Sequence, residues 1–169
     1  MNIQKILKHY DIKSIWHFTD ESNLESITKY GLLSLDTIMK QNVEVSRYGA
    51  TSSSHSQDIR KGLHKFVHLA FIKDHPMYHV AKSDGRIINP VWIEIDLSVI
   101  FDHYTVFSNM LANTYNAPIF EINEVGQMID FETILYEKDF NTRKEARKAE
   151  IMVSSQIGTD HIKGIYYGN

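Results

Sequence analysis

Apolar residues recur at helical spacing at Ile3, Ile6, Leu7 and Tyr10, after which Asp11 and Lys13 lead into a first strand near residues 15–19. Trp16, His17 and Phe18 suit a short half-buried strand. Asp20 or Thr19 is placed to cap a helix running through Asn23, Leu24, Ile27 and Thr28, and Gly31 stops that helix in a left-handed conformation. Free backbone donors at such a helix start favour an anion such as a phosphate. Residues 36–65 then turn polar, with Thr51-Ser52-Ser53-Ser54-His55-Ser56 as a low-complexity tract read as a loop, either mobile over a site or plainly disordered. Phe66-Val67-His68-Leu69-Ala70-Phe71 predicts a central strand, and His75-Pro76-Met77 a helix with proline in its first turn. Further strands are expected over residues 91–95, 106–107, 149–153 and 162–167, with short helices around 131–136 and a charged helix over 142–148.

The chain has 169 residues and 43% hydrophobic content, enough for one substantial core and too little for two catalytic domains, so a single domain over residues 1–169 is expected. A formal charge of −3 excludes a surface coated in positive potential and confines any nucleic-acid contact to a local patch. Cysteine is absent, which removes disulfides and thiolate metal sites, and no apolar stretch suits a signal peptide or a membrane span. A cytoplasmic protein without membrane contact is the expectation.

Nine histidines raise a metal site. His64 and His68 share a strand face and His75 and His79 are also four apart, yet HExxH and a third ligand are missing, so no metal is expected. Neither GxGxxG nor GxxxxGK occurs, and no serine-nucleophile signature is present. His17 lies at a strand end before a capped helix, where a histidine either holds a ligand or simply fills the structure. Glu150 follows the basic run Arg143, Lys144, Arg147 and Lys148 and precedes an apolar strand. It is either a carboxylate at a cleft rim, able to stabilise positive charge or take a proton, or a surface partner for a lysine. The basic run, like Arg60 and Lys61, reads as a solvated helix face or as a contact for nucleic-acid phosphate.

In order, WHFTDESNLESITKYGLLS at 16–34, SHSQDIRKGLHKFVHLAF at 54–71, HPM at 75–77, VFSNMLA at 106–112, DFETI at 130–134 and RKAEIMV at 147–153 resemble the DarT-type family of NAD-dependent DNA ADP-ribosyltransferases. The resemblance spans nearly the whole chain, with its first and last segments strongest. It implies an α+β ADP-ribosyltransferase fold, a split pair of mostly antiparallel sheets with flanking helices and an NAD cleft. NAD is implied as co-substrate and a nucleobase in single-stranded DNA as acceptor. His17, Thr19 and Asn23 fall on the family's NAD-binding segment, with the histidine towards the adenosine portion, and Leu33 lies at its end. Glu150 falls on the catalytic glutamate. Arg60 is the candidate catalytic arginine, with Arg47 as the alternative.

Three positions depart from the family pattern: Ala70 replaces a tyrosine of an FYF run, Leu111 a frequent histidine and Asn109 an aspartate. VHLAF leans towards the guanine-modifying branch rather than the thymine-modifying one. The resemblance places the pyrophosphate near the start of the helix between Thr19 and Asn23 and the nicotinamide ribose beside Glu150, with Tyr48, Phe71 or Tyr115 as stacking surfaces for a base. It also implies a toxin paired with a macrodomain-type antitoxin. The rival readings are an RNA-modifying transferase, an inert nucleic-acid or nucleotide-binding module on the same fold, and a protein-modifying transferase.

Overall fold

In the computed structural model, which describes residues 2–168, Asn2 caps helix α1 (Ile3–His9) by accepting the Lys5 N–H, and Ile3, Ile6 and Leu7 turn inward as their spacing requires. Strand β1 (Ser14–Asp20) follows, then a short 3₁₀ turn and helix α2 (Leu24–Tyr30). Asp20 accepts the Ser22 N–H as the expected cap. Gly31 ends α2 at φ 78° and ψ −168°. That corrects the left-handed helical stop: this is an extended, positive-φ backbone open essentially to glycine alone.

Strand β2 (Leu32–Leu33) and helix α3 (Leu35–Gln41) come next. The serine-rich tract is a helix rather than a loop: α4 (Ser52–Lys61) is capped by the Thr51 hydroxyl, which accepts the Ser54 N–H, and ends at Gly62 with φ 73°. Serine is a poor helix former in isolation, but the cap, the glycine stop and contacts below the helix override composition.

Beyond α4 run β3 (Phe66–Leu69), α5 (Pro76–Ser83), β4 (Pro90–Asp96), α6 (Val99–Asp102), β5 (Thr105–Ser108), β6 (Phe120–Glu121), α7 (Val125–Met128), α8 (Phe131–Tyr136), α9 (Phe140–Ala146), β7 (Glu150–Ser154), β8 (Gln156–Ile157) and β9 (Ile162–Tyr167). All strand pairings are antiparallel. One sheet has the order β1-β4-β9, a second β3-β7-β5-β6, and β2 pairs with β8 in a short separate ladder. The expected central strand at 66–71 is therefore an edge of its sheet, because β7 covers only one side of β3. Its other side is joined to β1 at one point, where Trp16 and Ala70 exchange backbone hydrogen bonds of 2.9 and 2.7 Å. That bridge brings the two sheets edge to edge. Beneath it, Ile15, Ile93 and Ile95 of the first sheet pack in one core with Val67, Leu69, Phe107, Ile151 and Val153 of the second.

Candidate active-site groove

The edge-to-edge junction opens into a cavity of about 330 Å³, within the range of small-ligand sites. Its floor is β1 and β3, and residues 43–51 with α4 form one wall. Aliphatic side chains such as Leu33, Ile38, Val43 and Val45 supply apolar surface, and a few polar groups converge among them.

His17, Thr19, Asn23, Leu33, Arg47 and Glu150 all line this one cavity. Arg60 does not: it is exposed on α4, two residues from Asp58, which faces the cavity, and so on the opposite side of the helix. Of the two candidate arginines, Arg47 is the one that lines the groove, together with Arg86, which is held by Asp84 at 2.8 Å and by the Gly49 carbonyl. Among the described residues no protein acceptor holds the Arg47 guanidinium, and its backbone is fixed instead. The Asn23 Oδ1 accepts the N–H groups of Ser46 and Arg47 at 2.9 and 3.2 Å, and its amide donates to the Arg47 carbonyl at 2.6 Å and to the Thr19 hydroxyl at 3.0 Å. Those four bonds exhaust a primary amide. Asn23 thus positions Arg47 rather than offering its own amide to a ligand.

At the start of the 20–24 turn, where a phosphate is expected, an aspartate of the chain already accepts a backbone N–H. Asp20 is 2% exposed, and its Oδ1 accepts the Ser22 N–H and hydroxyl at 3.0 and 2.7 Å while Oδ2 accepts the N–H groups of Ile88 and Asn89 at 2.8 and 3.0 Å. The chain's own carboxylate takes up backbone donors at this turn, and Arg47 and Arg86 are the arginines that line the groove.

A line of three side chains crosses the groove floor. His17 Nδ1 donates to the His68 carbonyl at 3.0 Å, and burial holds this imidazole neutral, with its pKa below the ordinary histidine value despite the carbonyl bond. A neutral ring that donates through Nδ1 presents Nε2 as an acceptor. The His68 ring donates through Nε2 to the Leu63 carbonyl at 3.1 Å, while its Nδ1 lies 3.8 Å from Glu150 Oε2. Burial disfavours charge on His68, but the negative carboxylate of Glu150 wins, pushing its pKa up to about 9. Glu150 is the reciprocal case. Burial alone would raise its pKa, whereas His68, His75 and the Ala112 N–H, which donates to Oε2 at 2.8 Å, hold it below the usual range. The lysine partner considered for Glu150 is replaced by an imidazolium and a backbone amide.

The basic run is mostly engaged within the protein. Arg147 donates to the Ile134 carbonyl at 2.8 Å and pairs with Asp74, Lys148 pairs with Glu145 at 2.6 Å, and Arg143 donates to the Glu137 carbonyl at 3.3 Å. Lys61 donates to the Ala112 and Thr114 carbonyls, clamping the loop whose amide touches Glu150. Of the expected stacking surfaces, Tyr48 lines the groove and Tyr115 is exposed outside it. Phe71 is buried against Phe107 and Phe131 and is unavailable. Ala70 and Leu111 both border the groove. His64 pairs with Asp36 at 3.7 Å and His79 with Asp74 at 2.5 Å, and no cluster of three metal-ligating side chains forms among the described residues.

Sequence reasoning missed His68 and the α4 residues Ser54, His55 and Asp58, all of which line the groove. For α4 the signal was present, since positions 54, 55 and 58 follow helical spacing; composition hid it.

Two antiparallel sheets thus meet at a groove that holds a neutral histidine at one place and an ionised glutamate at another, the arrangement that the resemblance to ADP-ribosyltransferases leads one to expect. The chain belongs to the DarT family: the family model described as "ssDNA thymidine ADP-ribosyltransferase, DarT" matches residues 16–169. Among curated sequences no relative matches the chain. Solved structures of similar fold include Thermosipho africanus DarTG in complex with ADP-ribose, with a TM-score of 0.76 and 18% identity over 93% of this chain and 44% of that one. The present chain thus spans less than half of that protein's length. Thermus sp. 2.9 DarT in complex with ADP-ribosylated ssDNA aligns with a TM-score of 0.71 and 20% identity over 92% of this chain and 81% of that one. The same protein in complex with NAD+ aligns at 0.65 and 19%, with coverage of 92% and 81%. At these identities the likeness speaks for the fold, which is the α+β arrangement expected.

Proposed function

We propose that this protein transfers ADP-ribose from NAD to a base of single-stranded DNA. The observation that carries the reading is the line His17–His68–Glu150 across one apolar-walled groove. The donor set fits a dinucleotide: an imidazole acceptor at His17 with Thr19 and Leu33 beside it for the adenosine portion, Arg47 for the pyrophosphate, and Glu150 for a ribose hydroxyl. NAD supplies a glycosidic bond to a good leaving group. Glu150, ionised and ordered by His68 and Ala112, holds the 2′-hydroxyl and stabilises positive charge on the ribose as nicotinamide departs. Single-stranded substrate is expected because a paired base hides its reactive edge.

Guanine is the proposed acceptor on the strength of the VHLAF segment, with thymine, the base in the family's description, as the alternative. Family membership and the DarTG likeness favour a toxin role with a macrodomain-type antitoxin as partner, acting in the cytoplasm. No helix among the described residues is long and apolar enough to cross a membrane.

The test is labelled NAD with single-stranded DNA and RNA oligonucleotides of each base, with products weighed by mass spectrometry. A guanine adduct on DNA alone is expected. A product on RNA alone makes this an RNA-modifying enzyme, and no nicotinamide release with any oligonucleotide makes it an inert module. Glu150→Ala should lower turnover about 100- to 1,000-fold with folding intact. A nearly active E150A variant removes the glutamate from the mechanism.

A further inference from the structure

Asp58 has a feature that the roles assigned so far leave unused. Its Oδ1 is buried without a hydrogen-bond partner among the described residues, although the side chain lines the same groove as Glu150. A carboxylate oxygen in that state costs folding free energy, and although the His68 cation is near, no side chain among the described residues hydrogen-bonds it. Lys61, one turn on, is committed to the Ala112 and Thr114 carbonyls, and Arg60 lies on the far side of α4. Asn113 donates to the Ser54 hydroxyl at 2.9 Å, docking the 112–114 loop onto the helix face that carries Asp58. The result is a groove-lining carboxylate, its Oδ1 sealed away and unpartnered among the described residues, in a groove already furnished with its charge-stabilising group.

We infer that Asp58 is the general base of the transfer, accepting the proton that the acceptor base must lose. The inference rests on the functional reading above. As the C1′–nicotinamide bond breaks, its electron pair leaves on the nicotinamide nitrogen, which becomes neutral. The nitrogen lone pair of the DNA base forms the new bond to C1′, and its N–H proton passes to the Asp58 carboxylate. A guanine amine and a thymine ring N–H both need such an acceptor.

The neighbouring groups are poorly suited to that task. His68 donates to the Leu63 carbonyl and faces Glu150 as a cation, so its ring has no free lone pair. His17 commits Nδ1 to the His68 carbonyl, and Glu150 is held ionised by His68 and Ala112. Burial raises the Asp58 pKa most; the charge of His68 opposes it, the charge of Glu150 adds to the rise, and His55 and the Asn113 amide oppose it more weakly. Two carboxylates in one groove, one pushed up and one down, is the pattern of divided acid–base labour. The titratable groups around Asp58 are Glu150 from β7, His68 from β3 and His55 on α4 itself, while His64 of the following turn pairs with Asp36.

The experiment compares wild type, Asp58→Asn, Asp58→Glu and His55→Gln in single-turnover transfer from NAD to a single-stranded oligonucleotide across a pH series. NAD binding is measured alongside by calorimetry. D58N is expected to transfer about a hundred-fold more slowly or worse, with NAD affinity unchanged, and to lose the rise in rate with pH that wild type shows as this carboxyl ionises. D58E should recover part of the rate. Wild-type transfer with undiminished D58N, or a loss confined to H55Q, overturns the assignment to Asp58 alone. A wild type that modifies no nucleic acid overturns the functional reading, and Asp58 as base falls with it.

Discussion

Asp20 and His68 carry opposite pH signatures, and both follow from their partners. Asp20 accepts four hydrogen bonds while nearly inaccessible, and although burial opposes it, those bonds lower its pKa to about 2. With an unfolded value of about 3.9, its stabilisation is complete above that pH and is lost as pH falls through about 2. Asp20→Ala strands the buried N–H groups of Ile88 and Asn89 and should cost roughly 2–3 kcal/mol, read by urea denaturation at neutral pH. The same scan in acid should show the difference shrinking. For His68 the sign reverses: a pKa raised to about 9 gives stability that is full below about 6.5 and is lost as pH rises through 9. A melting temperature that declines from neutral pH towards 9 in wild type, and does so less in His68→Gln, is the expected outcome. The sequence suggested the Asp20 cap through its position before a helix. Its second oxygen, reaching residues 88 and 89, is a long-range contact that no local spacing reveals.

At the scale of elements, the α2–β2 corner depends on one missing side chain. A Cβ on Gly31 would lie 2.2 Å from the Ile157 carbonyl oxygen, and φ is already +78°. The clash is with backbone, so β2, which carries Leu33 on one side of the groove, would have to part from β8. Gly31→Ala should therefore destabilise by roughly 2–4 kcal/mol in chemical denaturation, well beyond an ordinary glycine replacement. Helix α4 shows where composition misleads: the polar tract 51–56 suggests a loop, but the Thr51 cap and the packing of residues 54, 55 and 58 over the groove make a helix. Its register then decides the arginine question. Arg60 falls on the outer face, and Arg47, in a segment with little secondary structure, is held over the groove by Asn23.

For the molecule as a whole, the two sheets share one core, with Ile15 and Ile93 packed in the same cluster as Phe107 and Ile151. Neither sheet has a separate interior to fall back on, so thermal unfolding should be a single transition, coincident by circular dichroism and tryptophan fluorescence. NAD at a hundred times its dissociation constant should add about 2.7 kcal/mol, raising the melting temperature; two separate transitions, only one of them responsive to NAD, would contradict a shared core.

Hydrophobic periodicity and turn chemistry determined most elements and the placing of His17 and Glu150 on strands, because each is a local preference expressed over a few neighbouring residues, whereas the antiparallel α+β class came from the resemblance carried by the ordered motifs. Only the tertiary structure decided that His68 joins those two across 51 and 82 positions of chain, that Arg47 rather than Arg60 reaches the groove, and that Asp58 stands unpartnered beside the glutamate. Those are consequences of which strand edges meet and which helix face turns inward, and such choices are settled by packing the whole core at once.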